Sequence, residues 1–426
     1  MKKKNITDSL IIGAALFSTL FGAGNMIFPP HLGLESGTDW FLGFTGFYIA
    51  DVGLAILALI SIVNQGSFKA LASPIGNKAR LLLTFVIVLC LGPLISVPRT
   101  CATTFELAIL PLSDRIPSAL FSAVFFIITL LLAFNETKVI DIVGKILTPV
   151  LVIGLLFLVT KAALFPISDQ IKEKAILSPL SSGLSAGYQS MDILGMAVID
   201  TLLIESASRR GHSSKRAKRA VISGACGFAA VGLFVIYLGL TYMGATASSL
   251  YDVSIPRTEL LTNAVSIIVP GTFGVTVFGI IAGLACLTTS VSLTGAAAKY
   301  FSGLTKGKIS YKVFVTAICI FSAVLSVMGV EKIVALASPV LTVIYPPVLV
   351  IVLLGFLGKY LTPLSWRLSV GGALVYGIAE AISGFGIRVA FLKYLPLSHM
   401  GFGWLLPCAL LALIGTKGAF SRSKQK

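Results

Sequence analysis

Polar positions along this chain are confined to short intervals between long apolar runs. The runs fall at 9–30, 40–63, 80–110, 117–134, 141–165, 176–206, 217–243, 266–300, 311–329, 332–357, 366–385 and 401–416. Each approaches or exceeds the roughly 20 residues that an α-helix needs to cross a hydrocarbon core about 30 Å thick. The pattern predicts an all-α polytopic membrane protein with twelve transmembrane helices. No interval has the length of a soluble domain, so residues 1–426 form a single membrane domain.

Two runs carry helix-breaking residues where a crossing helix should be strongest. Residues 21–30 read FGAGNMIFPP, and GYQSMD occupies 187–192 near the centre of a 31-residue run at 176–206. In hydrocarbon an unpaired backbone group costs several kcal/mol, so a break belongs where it lines something polar. A half-helix starting near Gly24 and Asn25 would offer N–H groups and a positive dipole end to a carboxylate. The half-helix before it would offer free carbonyls to a cation. Gly22 and Gly24 remove bulk and permit unusual backbone, and Pro29 and Pro30 limit how the helix continues. Glycine-mediated packing with a proline kink is the plainer alternative. A second unwinding is expected over Gly187 to Met191. The two interrupted runs are five apart and enter from opposite sides, which predicts inverted five-helix repeats at 8–165 and 176–357, with two added helices at 366–416.

The eighth run contains GLACLTTSVSLTG (283–295), whose hydroxyls either supply neutral cation ligands or bond back to the preceding turn. Asp51, Arg99, Glu106, Asp192, Asp200 and Glu380 also fall within the runs, where ionised groups normally face a cavity or one another. Arg99 and Glu106 lie two turns apart and are expected to pair with other helices. Asp192 either meets a substrate amine or caps the second half-helix of its run.

Composition agrees with the pattern and limits the alternatives. The chain is 56% hydrophobic and 12% charged, with a mean hydropathy of +0.97. Its net charge of +16 would suggest nucleic acid if the basic residues shared one surface. Instead, 24 of the 33 Lys and Arg residues lie in the termini and alternate loops that share one side. Eight lie on the other side, and Arg99 lies inside a run. This asymmetry places both termini in the cytoplasm and implies no nucleic-acid partner. The six cysteines are scattered without metal-binding spacing, and no nucleophile–base pair suggests an enzyme.

FGAGNMIFPPHLG (21–33), GYQSMD (187–192) and SRRG (208–211) together resemble the branched-chain amino acid transport system II carriers, the BrnQ-type family, over essentially the whole chain. That family is assigned to the amino acid/polyamine/organocation superfamily. The resemblance implies the LeuT-type fold, with five plus five inverted spans and two appended, spans 1 and 6 being discontinuous. It implies sodium-coupled import of leucine, isoleucine and valine across the bacterial cytoplasmic (inner) membrane, without a cofactor or an obligate protein partner. On that likeness sodium meets the carbonyls of Ser18, Phe21 and Ala285 and the hydroxyls of Thr288 and Thr289. The substrate carboxylate meets the amides of Ala23, Gly24 and Asn25, and its ammonium meets the carbonyls of Tyr188, Gln189, Ser190 and Met191. Proton coupling through Asp51, Glu106, Asp192 or Glu380 is the alternative, and a channel would need a continuous polar stripe that is not evident.

Overall fold

The computed structural model describes residues 2–134, 148–173, 175–358, 360–387 and 389–422, and no strand occurs among them. The start of the fifth expected span, 141–147, lies outside the described residues.

The first apolar run forms two helices, α1 (Lys2–Leu20) and α2 (Ala23–Ser36), separated by Phe21 and Gly22. The second run forms α3 (Trp40–Tyr48) and α4 (Leu54–Gln65), joined by a wide π turn over Ile49–Gly53. After the short α5 (Phe68–Leu71), the third run forms α6 (Asn77–Leu89) and α7 (Ser96–Thr104). Pro93 lacks an N–H and Gly92 leaves helical geometry (φ −87, ψ −116), so a π turn at Cys90–Leu94 bends the chain between them. A second π turn, Phe105–Ile109, ends this run. Single helices follow as α8 (Ser118–Ala133) and α9 (Thr148–Leu164).

The sixth run is again two helices, α10 (Pro179–Ser190) and α11 (Asp192–Arg209). Beyond them lie α12 (Lys215–Thr246), α13 (Arg257–Ile268), α14 (Thr272–Leu304), α15 (Tyr311–Ser326), α16 (Val330–Leu357), α17 (Pro363–Gly384) and α18 (Leu405–Arg422). Ser214, Ser310 and Thr362 accept backbone N–H groups at the starts of α12, α15 and α17, as capping residues do. Five stretches among the described residues are long and apolar enough to cross a membrane, and shorter apolar helices accompany them. The break at Phe21 and Gly22 helps to explain the shortfall from twelve, because it splits one apolar run into helices of 19 and 14 residues. Leu131, Ile153, Val231 and Val324 are more than half exposed, as a bilayer-facing surface requires.

Packing follows a regular exchange. α1 and α2 pack on α12, while α10 and α11 pack on α3 and α4. α9 packs on α12, while α16 packs on α4. α7 meets α14, and α8 meets α15; the cross pairs α8 with α14 and α15 with α7 also form.

The closest approaches are between backbones. A Cβ on Gly33 would strike the Thr241 carbonyl, and one on Gly244 would strike the Pro30 carbonyl, so α2 and α12 touch main chain to main chain. In the same way Gly43 and Gly46 of α3 lie against Gly183 and Leu180 of α10. Gly187, expected to unwind, is helical, and a Cβ there would lie 2.6 Å from that of Ala50. Its smallness serves packing and brings the π turn at Ile49–Gly53 against the end of α10.

Candidate functional site

Both helix breaks open toward one buried polar cluster. At the first, Gly22 is extended (φ −108, ψ −171), a conformation open to any residue, and no side chain caps the first amides of α2. The expectation that Gly22 and Gly24 supply special backbone is therefore corrected. Gly24 is helical, and its smallness matters because a Cβ would lie 3.0 Å from Arg99 Nη2 and 3.1 Å from the Phe28 ring. The second half-helix begins at Ala23, and Pro29 and Pro30 are accommodated within it.

The second break is narrower than the expected 187–191. Only Met191 leaves the helix, in the left-handed region (φ 69, ψ 17), with its N–H donating to the Tyr188 carbonyl at 3.2 Å. Asp192 then occupies the first turn of α11, where the helix dipole favours a negative charge.

The side chain of Asn25 ties the cluster together. Its Nδ2 lies 3.1 Å from Asp51 Oδ2, 2.9 Å from Asp192 Oδ2 and 2.6 Å from the Tyr237 hydroxyl oxygen. Asp51 also accepts a short hydrogen bond from the Ser190 hydroxyl, which in turn lies 2.5 Å from the Gly187 carbonyl. Asn25, Asp51, Ser190 and Tyr237 are all buried.

Arg99 stands opposite. Bent into place by the turn at Cys90–Leu94, it donates from Nη1 to the Gln189 carbonyl at 2.7 Å and from Nη2 to the Ser190 carbonyl at 3.4 Å. It lies over the Phe28 ring, 5.8 Å from the centroid. Arg257, which is ion-paired with Glu331, also lies over that ring, 5.6 Å from its centroid. Arg99 is thus a cation on two of the carbonyls expected to receive a substrate ammonium.

The other buried charges are satisfied elsewhere. Glu106 accepts from the Thr258 hydroxyl at 2.5 Å and the Val330 amide at 2.8 Å, so Arg99 and Glu106 pair with different elements as expected. Asp200 accepts from the Phe68 amide at 2.6 Å. Glu106, Thr258 and Glu331 line a cavity of about 570 Å³ between the end of the third run, α13 and the start of α16. That cavity includes no residue of either break.

Of the expected sodium ligands, Ala285, Thr288 and Thr289 come together on α14. Both hydroxyls lie within 3.1 Å of the Ala285 carbonyl, to which they donate. Ser18 lies in the last turn of α1, and Phe21 lies buried in the break. Among the described residues no group of three or more His, Cys, Asp or Glu side chains could hold a metal, and all six cysteines are buried and free. Sequence reasoning missed Tyr237 altogether, and it gave Asn25 a role only through its backbone.

Far from the breaks, Asp8 accepts from His212 at 2.9 Å and from Arg210 at 3.4 Å. The His212 hydrogen bond, the largest influence, holds its carboxyl below the usual range; burial opposes it, and a weaker Arg210 contact adds to the lowering.

Comparison with known proteins places this geometry. A family model described as branched-chain amino acid transport protein matches residues 5–419. The branched-chain amino acid permease BraB of Bacillus subtilis is 34% identical over 424 residues, covering 96% of this chain and 95% of the permease. The permease BrnQ of Escherichia coli is 33% identical over 420 residues, covering 96% and 94%. Among solved structures, Mhp1, a nucleobase-cation-symport-1 family transporter, aligns with a TM-score of 0.66 at 13% identity, covering 96% and 92%. MhsT in complex with L-phenylalanine aligns at 0.58 and 19% identity, covering 95% and 98%. These two likenesses establish a shared fold, the LeuT type expected from the sequence. The chain belongs to the branched-chain amino acid transport protein family, whose members are membrane transporters rather than enzymes.

Proposed function

We propose that this protein imports leucine, isoleucine or valine into a bacterial cell by sodium symport, through alternating access in the cytoplasmic membrane. In this reading twelve spans cross the bilayer with both termini inside. Spans 1 and 6 are α1–α2 and α10–α11, and the first ten spans form two inverted repeats. The packing exchange supports the repeats, because replacing each span by the one five away leaves the pairings unchanged.

The observation that carries the reading is the convergence of both breaks on one polar cluster. The uncapped start of α2 offers amides of Ala23 to Asn25 to the substrate carboxylate. Asp192, bridged to Asp51 by Asn25, faces the same cluster and suits the ammonium. Two carboxylates and one guanidinium leave an excess negative charge; a zwitterionic amino acid does not change it, and one monovalent cation balances it. Sodium at the oxygens of Ser18, Phe21, Ala285, Thr288 and Thr289 supplies that charge at the break in span 1. Ion and amino acid then reinforce each other, a coupling that is reciprocal.

Proton coupling is a second reading, favoured specifically by the Asp51–Asn25–Asp192 bridge, since a proton on either carboxylate balances the same charge. Radiolabelled leucine uptake by purified protein in liposomes, with opposing sodium and pH gradients, separates the two. Sodium-driven uptake that Thr289→Ala weakens and Gly24→Leu abolishes is the expected result. Uptake that follows only the pH gradient overturns sodium coupling, and a parent protein that does not take up leucine overturns the reading.

A further inference from the structure

We infer that Arg99 is a specificity-determining residue: its guanidinium seals the break in α10–α11 with one edge and grips the substrate's α-carboxylate with another. The inference rests on the proposed amino acid transport and goes beyond it by adding a side chain to a site otherwise made of backbone amides.

Arg99 is only 4% exposed, and its five N–H groups are unequally used. Nη1 and Nη2 each donate to one carbonyl of the break, at Gln189 and Ser190. The Nε–H is buried and has no partner. An unsatisfied donor on a buried cation is costly to keep, so its retention calls for an acceptor. The acceptor's place is set by Gly24. Arg99 Nη2 and Cζ lie 3.0 and 3.2 Å from where a Cβ on that residue would stand, so the guanidinium rests against the first turn of α2. The guanidinium with the unpartnered Nε–H thus packs on the same helical turn whose first amides no side chain caps.

An anion there would receive backbone N–H groups from α2 and a charge-assisted pair from Arg99, a combination that fits the planar fork of a carboxylate. Phe28, one turn beyond Gly24, adds its ring to the guanidinium's surroundings, 5.8 Å from Cζ to the centroid. A purely structural Arg99 would need only its two carbonyl contacts. It would not need the close approach to Gly24, which excludes even a methyl group unless its neighbours shift.

The test compares leucine with leucinamide, which keeps the ammonium and side chain but lacks the carboxylate, as competitors of radiolabelled leucine binding to the purified full chain. The parent is expected to prefer leucine by about 10- to 150-fold, the worth of one charge-assisted hydrogen bond. Arg99→Gln is expected to weaken leucine binding and bring the two affinities within about threefold, with Arg99→Lys between. If Arg99 only seals the break, both ligands weaken together and the preference stays, which overturns the inference. Should these variants not fold, the parent decides through the ¹⁵Nε resonance of Arg99. Leucine is expected to shift it and leucinamide to leave it in place; equal shifts, or none, overturn the assignment. A parent that binds leucine with an unchanged preference in the variants sinks only the role of Arg99. A parent that does not bind leucine sinks the transport reading and this inference with it.

Discussion

Asn25 offers the sharpest perturbation of the site, because one amide serves acceptors on three other elements. Asn25→Ala removes the donor from two carboxylates at once, the buried Asp51 and the half-buried Asp192. Hydrogen bonds to charged groups are worth about 1.5–3 kcal/mol each, so the loss is about 3–6 kcal/mol if nothing relaxes. Asn25→Asp keeps the shape and replaces the donor with a third negative group about 3 Å from the other two. At an effective dielectric of about 20, each such pair repels by roughly 5 kcal/mol, so this isosteric change is worse than truncation. Whatever part of the loss falls on the liganded state appears in affinity, at about tenfold per 1.4 kcal/mol, and the rest appears in thermal stability. Leucine binding by equilibrium dialysis and thermal unfolding in detergent measure the two parts. The expected order is parent, then Asn25→Ala, then Asn25→Asp, with affinity reduced at least about a hundredfold in one assay or its equivalent lost in the other. Asn25→Asp that matches or exceeds Asn25→Ala in both assays would refute the bridge.

Gly244→Ala forces a methyl group into the Pro30 main chain, 2.8 Å from its Cα, and overpacking of this kind costs about 1–3 kcal/mol. Gly227→Ala on the same helix meets nothing within 4 Å and should be neutral or gain about 1 kcal/mol from helix propensity; equal unfolding temperatures for the two variants would contradict this. At the cavity lined by Glu106 and Thr258, Glu331 is 42% exposed, so Glu331→Gln should cost no more than about 1 kcal/mol. Glu106→Gln weakens an acceptor that holds both α13 and the start of α16, and it should cost about 1.5–3 kcal/mol; a larger loss from Glu331→Gln in thermal unfolding would reverse this ranking. The Asp8 carboxyl is held low by His212 and Arg210, so its contribution is present at neutral pH and disappears as the pH falls below about 4. Protection from hydrogen exchange in the first turns of α1, referred to the intrinsic rate at each pH, should therefore fall below that pH in the parent, whereas Asp8→Asn should be weakly protected throughout; a parent without this acid step would refute the role of the Asp8 contacts.

The sequence made the breaks legible because they rest on local chemistry, with glycine, asparagine and proline inside apolar runs. It also marked Asp51, Arg99, Glu106, Asp192 and Asp200 as charges in need of partners. The partners themselves were not legible, since Asn25 reaches residues 26, 167 and 212 positions away. Tyr237 carried no signal at all, being one of 11 tyrosines. Gly187 misled because a glycine required by close helix packing looks the same in sequence as one required by unwinding. The hydroxyls at Thr288 and Thr289 illustrate the same limit: the sequence leaves them open between cation ligands and bonds to the preceding turn, and in the structure both donate to the Ala285 carbonyl.

The two breaks differ mechanically, and the difference follows from what occupies them. Met191 holds a left-handed backbone that costs a non-glycine residue about 1–2 kcal/mol, and a glycine there would remove the strain. A methionine is kept for its side chain, which is buried and accepts a 3.6 Å hydrogen bond at sulfur from Ser96. Ser96 and Arg99 are three residues apart on α7 and so share a face. One grips the residue of the break, and the other grips the two carbonyls before it. The break between α10 and α11 is therefore pinned to a helix that packs on α14. At Gly22 nothing comparable exists: the backbone is extended and unstrained, and a Cβ would find its nearest neighbour, Asn25 Oδ1, at 4.0 Å. A hinge needs room and an unstrained backbone, and a fixed ligand platform needs ties. The junction of α1 and α2 meets the first requirement, and the junction of α10 and α11 meets the second.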